Sequence, residues 1–340
     1  MLKSFAKNIT QKPMTKNFSK TYNEARHEFN QFFRTRNMAS TYKPFFLKCI
    51  LELTDYDKKL GHFYGKQWIE KKDNGLQVDL EFIASRFGLE YWDHHFKFRL
   101  KQSPNKKDVA IYRLLEDFRK SIDRQGKIPK ITVFCNSDNS SFRKKIISQC
   151  IKPDVLERLK KDCNIYKVSE DRNSIFVPNS VIEFLKENKT MVLTALNFVI
   201  TSYLEMCNES PQIATKISKK TPPPKIQQEK FNYIKKMQNN LCFYCTTNSI
   251  DVQEHVIPKD YVWETKPFNI VGSCEKCNRE KWYDRLPKWK IFLKVLDRND
   301  SLGFSQLIKN EDYSREGYIS RYKTCRSDYA SKKKLWEPGS

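Results

Sequence analysis

Residues 242–281, CFYCTTNSIDVQEHVIPKDYVWETKPFNIVGSCEKCNREK, carry four cysteines in two closely spaced pairs. Cys242 and Cys245 form one C-x-x-C unit, and Cys274 and Cys277 form the other. Each C-x-x-C turn can present two thiolates to the same ion, and four thiolates suit the tetrahedral geometry of structural zinc. Ordinary buried thiols are the alternative interpretation, but a hydrophilic segment gives little reason to bury two such pairs. The spacing therefore predicts a zinc-stabilised module in this part of the chain.

Polar residues typical of hydrolytic chemistry lie between and after the two cysteine pairs. The segment Glu254-His255-Val256-Ile257-Pro258 follows the first pair, Asn269 precedes the second pair, and residues 274–281 have the sequence CEKCNREK. These three segments resemble the HNH (ββα-metal) nuclease family. The resemblance covers residues 242–281 only, so any assignment to a particular kind of nuclease depends on the architecture of the rest of the chain.

The resemblance implies a role for each polar residue of this segment. His255 would be the general base that activates water, and Glu254 and Asn278 would bind a catalytic Mg²⁺ or Mn²⁺ ion. Asn269 would brace the β-hairpin beneath the site. Glu254 departs from the aspartate that is more frequent in the family. Its longer side chain changes the geometry of the metal ligand without changing the reaction class.

Lys281 lies at the end of the same segment, where it is predicted to contact the scissile phosphate. The chain around it is rich in lysine, so a solvated helix face is the alternative interpretation. Asn269 taken alone is also consistent with a turn residue. Glu254-His255 taken alone is consistent with a surface acid beside an ordinary histidine. Their combination within a zinc frame favours a catalytic site over these alternatives.

Phosphodiester hydrolysis explains why these residue types belong together. The charge of a phosphodiester repels nucleophiles and its leaving alkoxide is unstable, so an enzyme needs a base for water and a cation for the developing negative charge. The ordinary pKa of histidine, near 6.5, leaves much of His255 neutral at pH 7. A carboxylate and an amide oxygen are hard ligands that suit Mg²⁺ or Mn²⁺, whereas thiolates suit zinc. Two different metals are therefore expected, a structural Zn²⁺ and a catalytic Mg²⁺ or Mn²⁺.

The composition favours a nucleic-acid partner. The 340 residues include 63 Lys and Arg against 40 Asp and Glu, which gives a formal net charge of +23. The excess is spread over most of the chain, as expected for a protein that binds double-stranded DNA; a basic protein without such a partner is the alternative. No G-x-x-x-x-G-K-S/T loop occurs, which argues against ATP-driven chemistry.

Cysteine usage and hydropathy predict a cytoplasmic protein. The six cysteines outside the zinc segment have no paired spacing and are expected to be reduced core thiols: Cys49, Cys135, Cys150, Cys163, Cys207 and Cys325. The first residues, MLKSFAKNITQK, contain no apolar leader. The longest apolar stretch, around residues 191–200, is too short to span a bilayer, so no membrane partner is expected.

Changes in composition divide the chain into four predicted parts. Residues 1–212 are predicted to form a mainly helical DNA-recognition domain with a basic N-terminal arm, and residues 213–230, with Pro222-Pro223-Pro224 among lysines, an extended linker. Residues 231–297 would form the HNH domain and residues 298–340 a basic C-terminal extension. This extension is predicted either to lie along a phosphate backbone or to be a solvated end. The predicted fold class is α+β, with a helical domain followed by a small zinc-stapled ββα-metal domain.

Hydrophobic periodicity predicts several elements within residues 1–212. Helices are predicted over residues 22–33, from residue 42 onward, and over residues 77–100, 107–122 and 141–161. A hairpin is predicted from residues 165–168 and 174–177, which flank a turn-forming segment. One long apolar helix is predicted over residues 179–206. The helix, hairpin and long helix together predict a winged-helix-like unit, which would give the chain a DNA-binding surface.

The resemblance to HNH nucleases implies a metal-dependent DNA endonuclease. A large recognition domain ahead of a single HNH module resembles a prokaryotic type II restriction endonuclease. A homing endonuclease and a less selective anti-phage defence nuclease are alternatives, and so is a non-catalytic zinc-stapled nucleic-acid-binding module. One active site cuts one strand per engagement, so duplex cleavage would require a homodimer or sequential nicking.

Overall fold

The structure of the chain is a computed structural model that describes residues 18–35, 38–55, 62–63, 66–103, 109–122, 131–135, 137–218, 223–282, 285–329 and 335–339. Residues 1–17 of the predicted arm and 219–222 of the predicted linker lie outside the described residues. The α-helices of the first 218 residues, within the described ranges, are α1 (Tyr22–Thr35), α2 (Tyr42–Leu51), α3 (Leu80–Trp92), α4 (Ala110–Ile122), α5 (Ile131–Cys135), α6 (Ser140–Ile146), α7 (Glu157–Asp162), α8 (Asn179–Glu187), α9 (Lys189–Cys207) and α10 (Ile213–Ile217). The strands are β1 (His62–Phe63), β2 (Lys66–Gln67), β3 (Ile69–Lys72), β4 (Gly75–Asp79), β5 (Lys167–Val168) and β6 (Ser174–Pro178).

Four of these strands form one antiparallel sheet in the order β3-β4-β6-β5. In its central pair, Leu76 lies opposite Val177 and Val78 lies opposite Ile175. All four side chains are buried, because side chains two residues apart on a strand point to the same face. The predicted hairpin is confirmed as β5 and β6, but β4 and β3 extend it into a larger sheet.

The structure corrects the helix predicted over residues 77–100. Gln77 and Val78 belong to strand β4, and the helix begins only at Leu80. Asp79 caps this helix, because its carboxylate accepts a hydrogen bond from the backbone N–H of Glu81 at 2.8 Å. Apolar residues lie on both sides of the cap, so the hydrophobic pattern alone did not reveal where the strand stops.

Asn188 divides the long apolar helix predicted over residues 179–206 into α8 and α9. Its side-chain amide donates to the backbone oxygen of Phe184 at 2.9 Å and so satisfies the end of α8. By length and composition alone, α9 is the one helix among the described residues that could cross a membrane. A buried core helix passes the same test, and α9 buries Leu196 and Ile200.

The other predicted helices are confirmed. They correspond to α1, to α2, to α4 and to a continuous helical run over residues 140–162. The middle of that run, Ile147–Leu156, is a π-helix that contains Pro153. Proline has no N–H to donate and its ring clashes with the preceding turn of an α-helix. The turn of a π-helix is wider than that of an α-helix, so it accommodates Pro153 without ending the helix.

Buried side chains between Ala25 and Ile217 form one hydrophobic core. One later residue, Trp263, packs in the same core, where its ring meets that of Phe98 edge-on at a centroid distance of 5.0 Å. Four of the six isolated cysteines, at positions 49, 135, 150 and 163, are buried in this core as free thiols, as predicted.

A second hydrophobic core extends from Ile226 to Trp336. Its elements are α11 (Gln228–Met237), β7 (Val252–His255), α12 (Lys259–Val262), β8 (Ile270–Ser273), α13 (Glu275–Lys281), α14 (Trp289–Asp300), α15 (Leu302–Ile308) and α16 (Arg315–Thr324). Strands β7 and β8 pair antiparallel, and α13 follows β8 after one residue. The many helices and small antiparallel sheets confirm the predicted α+β class.

The structure also corrects the prediction that the C-terminal extension is a phosphate-contacting or solvated tail. Tyr318, Tyr322, Tyr329 and Trp336 are all buried in the second core. Tyr318 and Tyr322 lie on one face of α16, four residues apart, where the ring of Tyr322 stacks on Phe292 at 4.2 Å. These aromatic residues therefore support the fold.

Lys216 connects the two cores through a buried ammonium group. It lies on α10 and its side chain is fully buried, so residues 213–217 are a packed helix and not part of the extended linker that was predicted. The ammonium donates to the hydroxyl of Ser210 at 2.6 Å and to the backbone oxygen of Tyr261 at 2.5 Å. Burial lowers the pKa of Lys216 from 10.5 to about 7, since the charged form loses its hydration.

This burial makes stability depend on pH. Between about pH 7 and 10.5 the unfolded chain binds more protons at Lys216 than the folded chain, so the contribution of Lys216 to the free energy of unfolding should rise with pH. The rise should be about 2 kcal/mol between pH 7 and pH 9. Lys216→Met should abolish this rise in chemical denaturation experiments. Lys101→Met is the matched control: Lys101 pairs with Asp328 but is 41% exposed, and the slope should persist. An unchanged slope in Lys216→Met would contradict the assignment.

Candidate functional site

The four cysteines of the predicted zinc module lie together. Cys242 and Cys245 precede β7, while Cys274 and Cys277 lie at the start of α13. All four sulfur atoms lie within 4.8 Å of one another, and those of Cys245 and Cys274 are 4.0 Å apart. Tetrahedral zinc, with Zn–S bonds near 2.3 Å, requires sulfur separations of about 3.8 Å. The cluster can therefore hold a metal ion such as zinc.

Hydrogen bonds to the cysteine sulfur atoms favour the thiolate form that binds a cation. Cys274 caps α13, and its sulfur accepts from the backbone N–H of Cys277 at 3.5 Å and from the Asn248 amide at 3.6 Å. Burial acts to raise the pKa of Cys245, but hydrogen bonds from Thr247 and neighbouring backbone groups outweigh it and lower that pKa to about 6. Burial and the neighbouring thiols raise the pKa of Cys277. Four thiolates this close repel one another, and a bound divalent cation offsets this electrostatic repulsion.

Strand β7 brings Glu254 and His255 beside the last residue of α13. Glu254 lies opposite Val271 of β8, and His255 lies opposite Ile270. The ammonium of Lys281 donates to Glu254 Oε1 at 2.6 Å and to the backbone oxygen of His255 at 2.8 Å. The Lys281 side chain is fully buried, and that of Glu254 is 12% exposed. The Lys281 ammonium thus lies inside the site, and the alternative of a solvated helix face is wrong.

Asn278 lies one helical turn before Lys281, on the same face of α13. It is partly exposed, and within the described part of the chain its side chain has no hydrogen-bond partner. The hairpin and helix therefore bring Glu254, His255 and Lys281 into contact, and Asn278 lies on the same face of α13 as Lys281. A carboxylate and an amide oxygen are hard donors of the kind that suit Mg²⁺ or Mn²⁺.

His255 is neutral at physiological pH. Burial, followed by the positive charges of Lys259 and Lys281, lowers its pKa to about 3. This value lies well below the ordinary histidine value that the sequence alone led us to expect. Thr265 Oγ1 lies 3.5 Å from Nε2 of the ring, and a hydrogen bond with the Glu264 backbone partly opposes the shift in pKa. The ring is thus held in the form that can accept a proton.

Opposing effects act on the pKa of the Glu254 carboxyl group. Burial raises the pKa of its carboxyl group, whereas the Lys281 ammonium and a hydrogen bond with the His255 backbone act to lower it. Burial prevails, because the carboxylate is enclosed between the hairpin and α13. A cation beside Glu254 is therefore needed to keep it ionised, and Lys281 supplies that charge here.

Asn269 holds the end of the hairpin together. Its side chain is buried, and it accepts from the backbone N–H of Ile257 at 2.8 Å and donates to the backbone oxygen of Ile257 at 3.0 Å. The Asn269 backbone oxygen accepts from the N–H of Val256 at 2.9 Å. These bonds fix the chain directly after His255, which is where the sequence predicts a brace.

We expect Asn269→Ala to destabilise the second core by roughly 3 kcal/mol, because both backbone groups of Ile257 lose their partner while staying buried. Asn269→Asp should also destabilise it, since a carboxylate cannot donate to the oxygen of Ile257. The control is Asn232→Ala on the exposed surface of α11, with an expected change below about 0.5 kcal/mol. Chemical denaturation measures all three variants. Equal stability of Asn269→Ala and wild type would exclude the brace.

Several residues that hold the hairpin in place were not predicted from the sequence. Tyr318 of α16 donates to Asn269 Oδ1 at 2.7 Å, so the C-terminal part of the chain completes the brace. Arg298 of α14 donates to the backbone oxygens of Ile270 at 2.6 Å and Phe268 at 3.1 Å. The four-residue spacing of Tyr318 and Tyr322 was the available sign that this tail is a packed helix. Nothing in the sequence pairs Arg298 with β8.

No family model, no curated protein and no solved structure matches this chain.

Proposed function

We propose that this protein is a metal-dependent DNA endonuclease of the HNH type. The observation that supports it best is that β7 and α13 bring Glu254, His255 and Lys281 together, and that α13 also carries Cys277 of the four-cysteine cluster. A neutral, half-buried histidine next to a hard-ligand carboxylate suits phosphodiester hydrolysis, which needs a base and a cation.

In this proposal His255 removes a proton from the attacking water. Its ring is neutral, and Thr265 and the Glu264 backbone restrict its orientation. Asn269 fixes the backbone after His255, so the ring keeps its position while the substrate binds. Positioning of this kind contributes to the rate because the reacting atoms are held close before reaction.

Glu254 and Asn278 are the proposed ligands of the catalytic Mg²⁺ or Mn²⁺. When bound, such an ion polarises the phosphate and stabilises the negative charge on the leaving oxygen. Lys281 orients the carboxylate through Glu254 Oε1 and holds the backbone of His255. We therefore propose Lys281 as a positioning residue. The ammonium uses two of its three N–H donors on these partners, so the predicted contact with the scissile phosphate would fall to the third donor.

The zinc ion has a structural role in this proposal. Cys274 begins α13 and Lys281 ends it, so a metal at the cluster fixes the start of the helix that carries Asn278 and Lys281. Cys242 and Cys245 attach the chain ahead of β7 to the same cluster. Loss of this metal should therefore disorganise the hydrolytic site without touching its side chains directly.

The proposed substrate is double-stranded DNA, in keeping with a formal net charge of +23. We assign target recognition to residues 1–212, ahead of the nuclease segment. The hairpin β5-β6, between α7 and α8, supports the winged-helix-like interpretation of that part. A separate recognition part and one hydrolytic site are what a type II restriction endonuclease requires.

Two nuclease alternatives differ only in target selection: a homing endonuclease and a less specific anti-phage nuclease. The test is to incubate the purified protein with phage-sized DNA and Mg²⁺ and to sequence the fragment ends. Ends at one recurrent sequence support a restriction enzyme or a homing enzyme, and a long recurrent sequence favours homing. Ends at random positions support the less specific nuclease.

A non-catalytic zinc-stapled nucleic-acid-binding module is the alternative from another class. Binding alone does not require a half-buried histidine with a depressed pKa beside a buried Glu254-Lys281 pair. Intact DNA after incubation with Mg²⁺ or Mn²⁺, together with retained DNA binding, would favour this module.

Cleavage of both strands requires two hydrolytic events. One chain has one proposed site, so either two chains act together as a homodimer or one chain nicks each strand in turn. Sedimentation of the protein on uncleaved duplex distinguishes these possibilities. The cytoplasmic location predicted from the sequence suits an enzyme that acts on intracellular DNA.

A further inference from the structure

The outer face of α1 displays a line of unpaired polar side chains. Asn23, Arg26, His27, Asn30 and Arg34 are all exposed. They have the spacing i, i+3, i+4, i+7 and i+11, so they lie within an arc of about 100° on one side of the helix. Within the described part of the chain, none of them has a hydrogen-bond or ion-pair partner.

The opposite face of α1 fixes the helix to the first core. Ala25, Phe29 and Phe32 are buried. The ring of Phe29 lies 5.5 Å from that of Phe184 on α8, and Tyr22 meets the same ring edge-on at 5.4 Å. The exposed line is therefore carried by a firmly packed helix, and it extends about 16 Å from Asn23 to Arg34.

We propose that this face of α1 enters the major groove of duplex DNA and reads its bases. This inference rests on the proposed function and assigns sequence recognition to one element. Recognition helices present base-contacting residues with the spacing i, i+3, i+4 and i+7, as Asn23, Arg26, His27 and Asn30 do here. Arginine donates two hydrogen bonds to the two acceptors of guanine, and asparagine pairs with the donor and the acceptor of adenine.

The charges along α1 fit this partner. The exposed line contains two arginines and no carboxylate. Glu24, on the flank of the helix, accepts hydrogen bonds from Thr21 N–H at 2.6 Å and Thr21 Oγ1 at 2.9 Å, which close the first turn. A helix with this face presents positive charge and hydrogen-bonding groups to a polyanion.

A second exposed helix shows what distinguishes α1. The outer face of α6 carries Lys144 and Lys145 beside Ser141. Lysine is a point charge that contacts phosphates but lacks the planar fork that distinguishes one base from another. The α6 face therefore fits the DNA backbone in general, whereas the arginines and asparagines of α1 fit base edges.

The test uses the full-length chain carrying His255→Ala, so that binding is measured without cleavage. A pool of randomised duplexes is selected by this protein, the bound sequences are determined, and affinities for single-base variants of the selected site are measured. Asn30→Ala should weaken the preference at one base pair roughly 5- to 150-fold. Arg34→Lys should do the same at another base pair while keeping most of the overall affinity, because it keeps the charge and loses the fork.

The matched control replaces Lys144 and Lys145 with alanine. This variant should bind all duplexes more weakly by a similar factor and keep the same sequence preference. The proposal is overturned if Asn30→Ala and Arg34→Lys select the same site and distinguish its single-base variants as well as the parent protein does. It is also overturned if the parent protein, which carries only His255→Ala, selects no preferred sequence. Circular dichroism and zinc content confirm that each variant is folded. Mg²⁺-dependent cleavage by the wild type tests the nuclease separately, so each proposal can fail alone.

Discussion

Cys274→Ser is expected to remove zinc from the protein and to unfold the part of the chain that contains β7, β8 and α13. Cys274 contributes one of four sulfurs to the cluster and also caps α13. The apparent binding free energy of a four-ligand structural zinc is about 10–16 kcal/mol, and folding of a small module depends on it. A serine hydroxyl is a poor substitute for a thiolate. Zinc content per chain should therefore fall close to zero.

Two measurements on Cys274→Ser make this prediction decisive. Metal analysis gives the zinc content, and limited proteolysis reports whether residues 242–281 have become accessible. Cys207→Ser is the control: Cys207 is a free cysteine outside the cluster, so this variant should keep its zinc and its resistance to protease. Full zinc content in Cys274→Ser would show that the four cysteines are not the metal site.

His255→Ala is expected to lower the cleavage rate by roughly 10²–10⁴ while DNA binding and zinc content stay unchanged. His255 touches neither the sulfur cluster nor the exposed face of α1, so its loss should affect proton transfer alone. Single-turnover cleavage measures the rate, and filter binding on uncleaved duplex measures the affinity. Near-wild-type cleavage by His255→Ala would exclude the proposed base.

Glu254→Gln separates the role of the base from that of the metal ligand. An amide keeps an acceptor for the Lys281 ammonium but is a weaker ligand than a carboxylate. Cleavage should fall sharply in Mg²⁺, and excess Mn²⁺ should restore part of it, because Mn²⁺ binds oxygen and nitrogen ligands more tightly than Mg²⁺. Excess Mn²⁺ should not restore His255→Ala. Equal responses of the two variants to Mn²⁺ would contradict the assigned roles.

Local sequence patterns predicted much of the candidate site. The two C-x-x-C pairs predicted the four-sulfur cluster because each pair is close in sequence and ligand geometry restricts the rest. The position predicted for Asn269 agrees with the brace, since its partner Ile257 lies in the same segment. The helices and the hairpin of the N-terminal part followed from periodicity, which depends only on neighbouring residues.

Features that depend on distant residues were not predictable in this way. Tyr318 forms a hydrogen bond with Asn269, which is 49 residues away in the sequence, and Lys216 forms one with Tyr261, which is 45 residues away. The depressed pKa of His255 arises from burial and from lysines brought near by folding. Lys281 turns inward because a buried carboxylate requires a cation. The boundary between β4 and α3 depends on one capping hydrogen bond within an apolar run.

The measurement that tests the central claim most directly is cleavage of supercoiled plasmid by the zinc-loaded wild-type protein as Mg²⁺ is added and then removed. We predict that Mg²⁺ converts the plasmid to nicked and linear forms. A chelator too weak to strip thiolate-bound zinc should stop the reaction while leaving zinc content and DNA binding unchanged, and renewed Mg²⁺ should restore cleavage. Plasmid that stays supercoiled in both Mg²⁺ and Mn²⁺, despite full zinc content and tight DNA binding, would contradict the claim that this protein is a nuclease.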